Sequence, residues 1–315
     1  MQYDTIKPPH TSVLTQAVLE TFLFLKSHKN PTLLDCTLGF GGHTKALLQA
    51  YPNLRVIGID RDIQALNLAK HNLSEFGNRV EFFKSSFSSA LSLLDSKSHL
   101  LGILADIGVS SMQLDDKSRG FSFESDNLDM RMDLDSQTDA KILINSASVS
   151  ELEKILSSFG EIRESRKLAQ AIVEFRKQKP ITSARELATL VAKNISRQKS
   201  LNPATLAFQA LRIAVNDELG ELERLLDSIH DNHTSLKGAK VCIISFHSLE
   251  DRIIKSAFKQ WSKECICLPH VMKCECGANN ALGIASKKPI IPSPQEIAAN
   301  KRARSAKMRV FQFKN

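Results

Sequence analysis

No stretch of the 315 residues approaches the ~18–20 consecutive apolar residues that a membrane-spanning helix needs. The opening Met1-Gln2-Tyr3-Asp4 has neither the basic start nor the apolar core of a secretory signal, so a cytoplasmic protein is expected. Internal repeats and low-complexity tracts are missing as well. A disulfide framework is not expected for the six cysteines of a cytosolic chain. Cys36 and Cys242 lie in strand-like apolar runs and read as small core residues. Cys265, Cys267, Cys274 and Cys276 fall within twelve positions, with His270 between them. Such a set can hold zinc, but structural zinc usually sits on C-x(2–4)-C and these are C-x-C pairs, so zinc is the less expected of the two readings, metal or none.

What is present is an ordinary globular composition, 42% apolar and 24% charged, long enough for one large domain or two moderate ones. The net charge is +8, which suits a polyanionic partner, since cations that meet phosphates release condensed counterions. A mildly basic enzyme without such a partner has the same charge.

The first third alternates strands and helices. Short apolar runs at 31–38, 55–60, 79–83 and 100–107 read as strands, with helices at 41–51 and 62–72 between them. That alternation predicts a parallel, doubly wound α/β sheet. The segment 115–139 is polar and shows no period, and helices dominate from there to about Asp231. Ser150 with Glu153, and Ser183 with Glu186, have capping-box spacing, and Asn202-Pro203 is a further helix start. A strand returns at 240–246, a helix at 249–261 and a last strand at 307–313. The expected organisation is one sheet domain, 1–112 and 217–315, interrupted by a helical domain at 113–216 that recognises substrate.

Asp35-Cys36-Thr37-Leu38-Gly39-Phe40-Gly41-Gly42-His43 reads as a strand, a glycine turn and a helix start, where backbone N–H groups can meet a ligand. Thr44 stands where a dinucleotide fingerprint needs its third glycine, which disfavours NAD. Asp60 closes the second strand about 20 positions on, placed for a ribose diol or, alternatively, as a helix cap. Asp106 ends the fourth strand, where reactive groups of open α/β sheets gather, or serves there as a turn carboxylate. No cysteine lies beside it, which argues against chemistry needing a thiolate nucleophile. Arg119, Phe121, Phe123 and Arg131 are candidate RNA contacts by stacking and phosphate pairing, with burial as loop anchors the alternative for the two phenylalanines. Further cations recur at Arg163, Arg166, Lys167, Arg176, Lys177, Lys179, Lys193, Arg197 and Lys199.

DCTLGFGGH (35–43), GIDRD (58–62), ADIGVSSMQLD (105–115), RGFSF (119–123), LDMRMD (128–133), FGEIRES (159–165), FQALRIAVNDEL (208–219), ISFHSLEDRIIK (244–255) and NKRARSAKMRV (300–310) together resemble the ribosomal RNA small-subunit methyltransferase H family, also called MraW. The likeness begins at His10-Thr11-Ser12-Val13-Leu14 and runs nearly end to end. It implies a class I, Rossmann-like methyltransferase sheet with an inserted all-helical domain, and S-adenosylmethionine as donor. Carried over by position, the donor site is Gly41, Gly42, His43, Asp60, Phe87, Asp106 and Gln113. Phe87 and Gln113 rest on the resemblance alone. The implied reaction is N4-methylation of a P-site cytidine in 16S rRNA within the 30S subunit, by direct in-line transfer without a covalent enzyme intermediate. DIGVSS stands where many amino-methyltransferases carry (Asp/Asn)-Pro-Pro-aromatic, so Asp106 and nearby carbonyls are the expected acceptors, or Asp106 only orients the donor. A same-fold enzyme with a small-molecule or protein substrate, and a non-catalytic RNA-binding module, are the competing readings.

Overall fold

The computed structural model describes residues 12–94, 99–196, 202–267 and 273–315; His10, Thr11, Arg197, Lys199 and His270 lie outside these spans. The chain divides into two compact units, Met1–Gly108 with Glu221–Asn315, and Val109–Gly220. Among the described residues no helix is long and apolar enough to cross a membrane.

The α/β unit is built on a sheet of β1 (Thr32–Asp35), β2 (Arg55–Asp60), β3 (Val80–Lys84), β4 (Leu100–Asp106), β5 (Lys240–Ser245), β6 (Gly283–Ala285) and β7 (Lys307–Phe313), in the order β3-β2-β1-β4-β5-β7-β6. β1 to β5 pair in parallel, whereas β7 runs antiparallel to both β5 and β6. β1 and β4 are buried along nearly their whole length, as central parallel strands covered on both faces must be. Side chains alternate between two apolar layers: Leu33 packs with Phe22, Leu47 and Met308, and Leu34 with Ile59, Leu222 and Phe311. Cys36 and Cys242 are core residues, as expected. The chain leaves β3 at one edge and re-enters at β4 beside β1, so strand direction of travel switches there, and ligands of open α/β sheets bind beyond that point.

Helices α1 (Thr15–Thr21), α2 (Gly42–Ala50) and α3 (Ile63–Asn72) precede β4. Asp62 is the cap of α3 rather than its first residue, and its carboxylate accepts the Gln64 N–H.

The helical unit contains α4 (Ser111–Asp115), α5 (Ala140–Ser146), α6 (Val149–Ser158), α7 (Ser165–Gln178), α8 (Ala184–Asn194) and α9 (Pro203–Asn216) around Leu152, Leu156, Leu168, Leu187 and Leu211. S-x-x-E occurs twice at the start of α6, and Ser148 with Glu151 forms the capping box, not Ser150 with Glu153. That choice starts the helix at Val149 and buries Leu152 and Leu156. At α8, Ser183 accepts the Glu186 N–H, but the Glu186 carboxylate turns back one residue further, to the Thr182 N–H.

The polar segment 115–139 is not aperiodic after all. Leu128, Met130 and Met132 alternate inward and are buried. Gly120 turns there at φ +76, and a Cβ would sit 2.4 Å from the Asp129 nitrogen. The segment is then pinned by Asn216, whose Oδ1 accepts the Met132 N–H and whose Nδ2 donates to the Met130 carbonyl, both at 2.7 Å. Replacing Asn216 by alanine leaves two buried backbone groups unpaired, at ~1–3 kcal/mol each. Denaturant titration of Asn216→Ala should therefore show a loss of ~2–6 kcal/mol, and an unchanged midpoint would show that the pin is dispensable.

After the helical unit, α10 (Glu218–Asp231) supplies Leu222, Leu225, Leu226 and Ile229 to the sheet's core. α11 (Ser248–Trp261) follows β5 with Ile254 and Phe258 buried, and α12 (Pro294–Ala299) precedes β7.

Candidate active site

The carboxyl end of β1 runs into the glycine turn. Gly39 and Gly41 take φ of +54 and +81, which L side chains rarely adopt, and around Gly39 there is open space. No side chain caps the start of α2, so the N–H groups of its first turn are left to a ligand. The Asp60 carboxylate accepts the Gly39 N–H on one oxygen (2.8 Å) and the Asp62 N–H on the other (2.9 Å). It thereby ties the end of β2 to the turn. Burial pushes its pKa up, against those two hydrogen bonds.

A second carboxylate works from the end of β1. Asp35 accepts the Thr44 hydroxyl at 2.7 Å and the Thr37 N–H at 3.2 Å. The Thr37 hydroxyl in turn accepts the Asp106 N–H at 2.6 Å, which joins the ends of β1 and β4. His43 Nε2 lies 3.4 Å from Asp106 Oδ2. Both ring nitrogens of His43 and Asp106 Oδ1 are buried without a hydrogen-bond partner. Buried polar atoms of this kind are uncommon in the absence of a functional reason. Burial pushes the Cys36 thiol well up, with Asp35 adding to it, so this cysteine is no nucleophile.

Gly41, Gly42, His43, Asp60 and Asp106 are thus gathered at the carboxyl ends of β1, β2 and β4. Phe87 follows β3 and is buried in the apolar layer that contains Ile59 and Ala105. Gln113 belongs to the helical unit, where its Oε1 accepts the Ser110 N–H and completes the capping box of α4. Sequence reasoning did not single out Asp35, Thr37 or Thr44, although an acid and a threonine inside the strand-to-turn string DCT were the available signal.

The RNA-contact candidates need correction. Arg119 is 4% exposed, and its Nη2 donates to the carbonyls of Arg131 and Met132. Phe121 is 6% exposed and belongs to the helical core. Phe123 stands edge-on to Phe208 with centroids 4.7 Å apart. Arg131 clamps Asp129 and the carbonyls of Leu134 and Ser136. Arg119 and Arg131 hold their own loop, because a 25-residue polar segment must satisfy its carbonyls internally, while Phe121 and Phe123 anchor it to the helical core.

The strand order with its antiparallel seventh strand, the uncapped glycine turn and the acid closing β2 define a class I methyltransferase, a class whose methyl donor is S-adenosylmethionine. The unpartnered atoms of His43 and Asp106 and the open turn at Gly39 fit such a donor. The chain belongs to the MraW methylase family, whose model matches residues 7–314. It is 52% identical over 311 residues to Ribosomal RNA small subunit methyltransferase H of Helicobacter hepaticus, covering 97% of this chain and 98% of that protein. The protein of the same name from Campylobacter curvus is 51% identical over 312 residues, with 98% and 99% covered. That from Helicobacter pylori strain P12 is 50% identical over 314 residues, again with 98% and 99% covered.

Burial raises the Asp35 carboxyl to about 6, opposed by the Thr44 and Thr37 hydrogen bonds and by His43. A raised folded-state value means that this group's stabilising contribution is complete below its ordinary value and is lost as pH rises through about 6. Asp35→Asn keeps the shape and cannot ionise. Its stability relative to wild type should therefore climb by roughly 1–3 kcal/mol between about pH 4 and about pH 8. A difference that stays flat across that window, measured by denaturation at each pH, would contradict the assignment.

Proposed function

We propose that this protein transfers a methyl group from S-adenosylmethionine to the exocyclic N4 of a P-site cytidine in small-subunit ribosomal RNA, in the cytoplasm and on the assembled 30S subunit. The observation that carries the reading is the similarity, over 97–98% of the chain, to relatives named Ribosomal RNA small subunit methyltransferase H. The net charge of +8 supports a polyanionic substrate.

The bound donor supplies a methyl carbon already activated by its sulfonium, so the protein's work is mainly alignment, an effect worth up to ~7–11 kcal/mol. Gly41, Gly42 and the first N–H groups of α2 would receive the donor's polar groups, with Asp60 toward its ribose and Phe87 toward its adenine. Gln113 is assigned to donor binding on the family resemblance alone. The Asp106 carboxylate, with one oxygen unpartnered, accepts the N4 hydrogen as charge develops on nitrogen. His43, whose Nε2 lies 3.4 Å from Asp106 Oδ2, would belong with Gly41 and Gly42 to the donor set. Transfer is in line and needs no covalent enzyme intermediate, consistent with Cys36 being held as a buried thiol. With Arg119, Phe121 and Arg131 committed to their loop, RNA contact is assigned instead to exposed cations of the helical unit such as Arg163, Arg166 and Lys193.

The test is methyl transfer from labelled S-adenosylmethionine to small subunits from cells lacking this gene, with nucleoside analysis of the product. N4-methylcytidine at a single position is the expected result; a different methylated nucleoside, or none with donor still bound, would overturn the reading. Asp106→Asn should lower turnover by about 10²–10³-fold with donor affinity changed far less, and full turnover would remove Asp106 from the mechanism. Arg163→Glu with Arg166→Glu should weaken subunit binding and flatten its salt dependence by about two phosphate contacts. An unaltered salt slope would place the RNA surface elsewhere.

A further inference from the structure

Methyl transfer leaves four cysteines unused, all on the excursion between α11 and β6. Cys265 and Cys267 form one prong, Cys274 and Cys276 the other. Their four Sγ atoms all lie within 4.8 Å of one another. The sulfurs of Cys265, Cys274 and Cys276 make a near-equilateral triangle with edges of 3.6, 3.6 and 3.7 Å. Zinc–sulfur bonds of ~2.3 Å at tetrahedral angles place sulfurs about 3.8 Å apart. Disulfide sulfurs approach to about 2.05 Å, and here all four cysteines are free thiols.

The backbone explains how a C-x-C pair reaches this arrangement. The residue inside each pair turns its N–H on a sulfur of the opposite pair: Ile266 donates to Cys276 Sγ at 3.4 Å, and Glu275 to Cys267 Sγ at 3.3 Å. Such donors stabilise negative charge on sulfur and orient it, as the surroundings of metal-bound thiolates do. The base of the excursion is closed by Asn280, whose N–H and Nδ2 donate to the Glu264 carbonyl, with Nδ2 also reaching the Cys276 carbonyl. Little apolar burial holds the prongs themselves. Ile266 is 55% exposed, and Cys265 and Cys274 face solvent. A segment this poor in core needs another source of order.

We propose that Cys265, Cys267, Cys274 and Cys276 bind one zinc ion in a closed, four-thiolate structural site. Soft thiolate ligands in tetrahedral array select zinc over hard cations, and four protein ligands leave no open position for catalysis. On loading, four zinc–sulfur bonds form and the thiol protons pass to solvent, with no change of oxidation state.

The experiment uses the full-length protein, expressed with zinc supplementation and purified under reductant, with metal content read by plasma mass spectrometry. A single tightly held zinc per chain is expected, and cobalt(II) put in its place should show sulfur-to-metal charge-transfer absorption and tetrahedral d–d bands. Cys274→Ser with Cys276→Ser should abolish both signals while the far-ultraviolet circular dichroism and S-adenosylmethionine binding of the remainder persist. Cys242→Ala should keep the metal. Four freely titrating thiols without metal would overturn the site, as would zinc retained by the double variant or two disulfides mapped in protein kept reduced. Iron in place of zinc would overturn the assignment of the ion.

Discussion

Glycine confers no rigidity, so the β1–α2 turn takes its shape from the carboxylates beneath it. Asp60 gathers the Gly39 and Asp62 N–H groups, and Asp35 gathers the Thr37 N–H and the Thr44 hydroxyl. Through Thr37 the same network holds the Asp106 N–H, so hydrogen bonds tie together the ends of three adjacent strands. The cost is visible in the titration of Asp35 and Asp60, both raised by burial. Acids concentrated at one end of a sheet also make a local field that favours a positively charged ligand group. A sulfonium bound near this rim would be stabilised by that field, and the uncharged thioether of the product would lose that stabilisation.

Most of the sheet was legible because parallel central strands are apolar throughout and end in turns. β7 was read with its bounds unchanged, and β2 likewise, since both are flanked by breaks in hydropathy. β1 proved shorter than its apolar run, because the chain past Asp35 leaves the sheet to make the turn. The three-residue β6 had no readable pattern; its Gly283 is needed only because a Cβ would strike the Gln312 carbonyl of the neighbouring strand. Gly41 and Asp60 stood out because turn chemistry and a strand-end acid are local features of sequence. Asp35 and Thr44 did not, because their partnership is closed in space by the helix that follows. Phe121 and Phe123 illustrate the opposite hazard. An aromatic beside an arginine has the composition of a nucleic-acid contact, yet the alternation of Leu128, Met130 and Met132 builds a core that absorbs Phe121.

The charges in the helical unit then divide by what they are bound to. Arg119, Arg131 and Arg176 are spent on carbonyl oxygens, Arg176 reaching those of Ile144 and Ala147 at 2.6 and 2.7 Å. Removing a cation of that kind would loosen the fold before it touched any ligand. Lys167, Lys177 and Lys179 instead pair with Glu164, Glu174 and Glu186, the lysines all well exposed. Exposed pairs of this sort are worth only about 0–1 kcal/mol, so a phosphate can displace the glutamate at little cost. Net charge therefore understates what the surface can offer a polyanion, and a simple count of arginines overstates it. The cations that can respond to ionic strength are the exposed ones, and a steep salt dependence would arise from them without any change in the arginines that hold the loop.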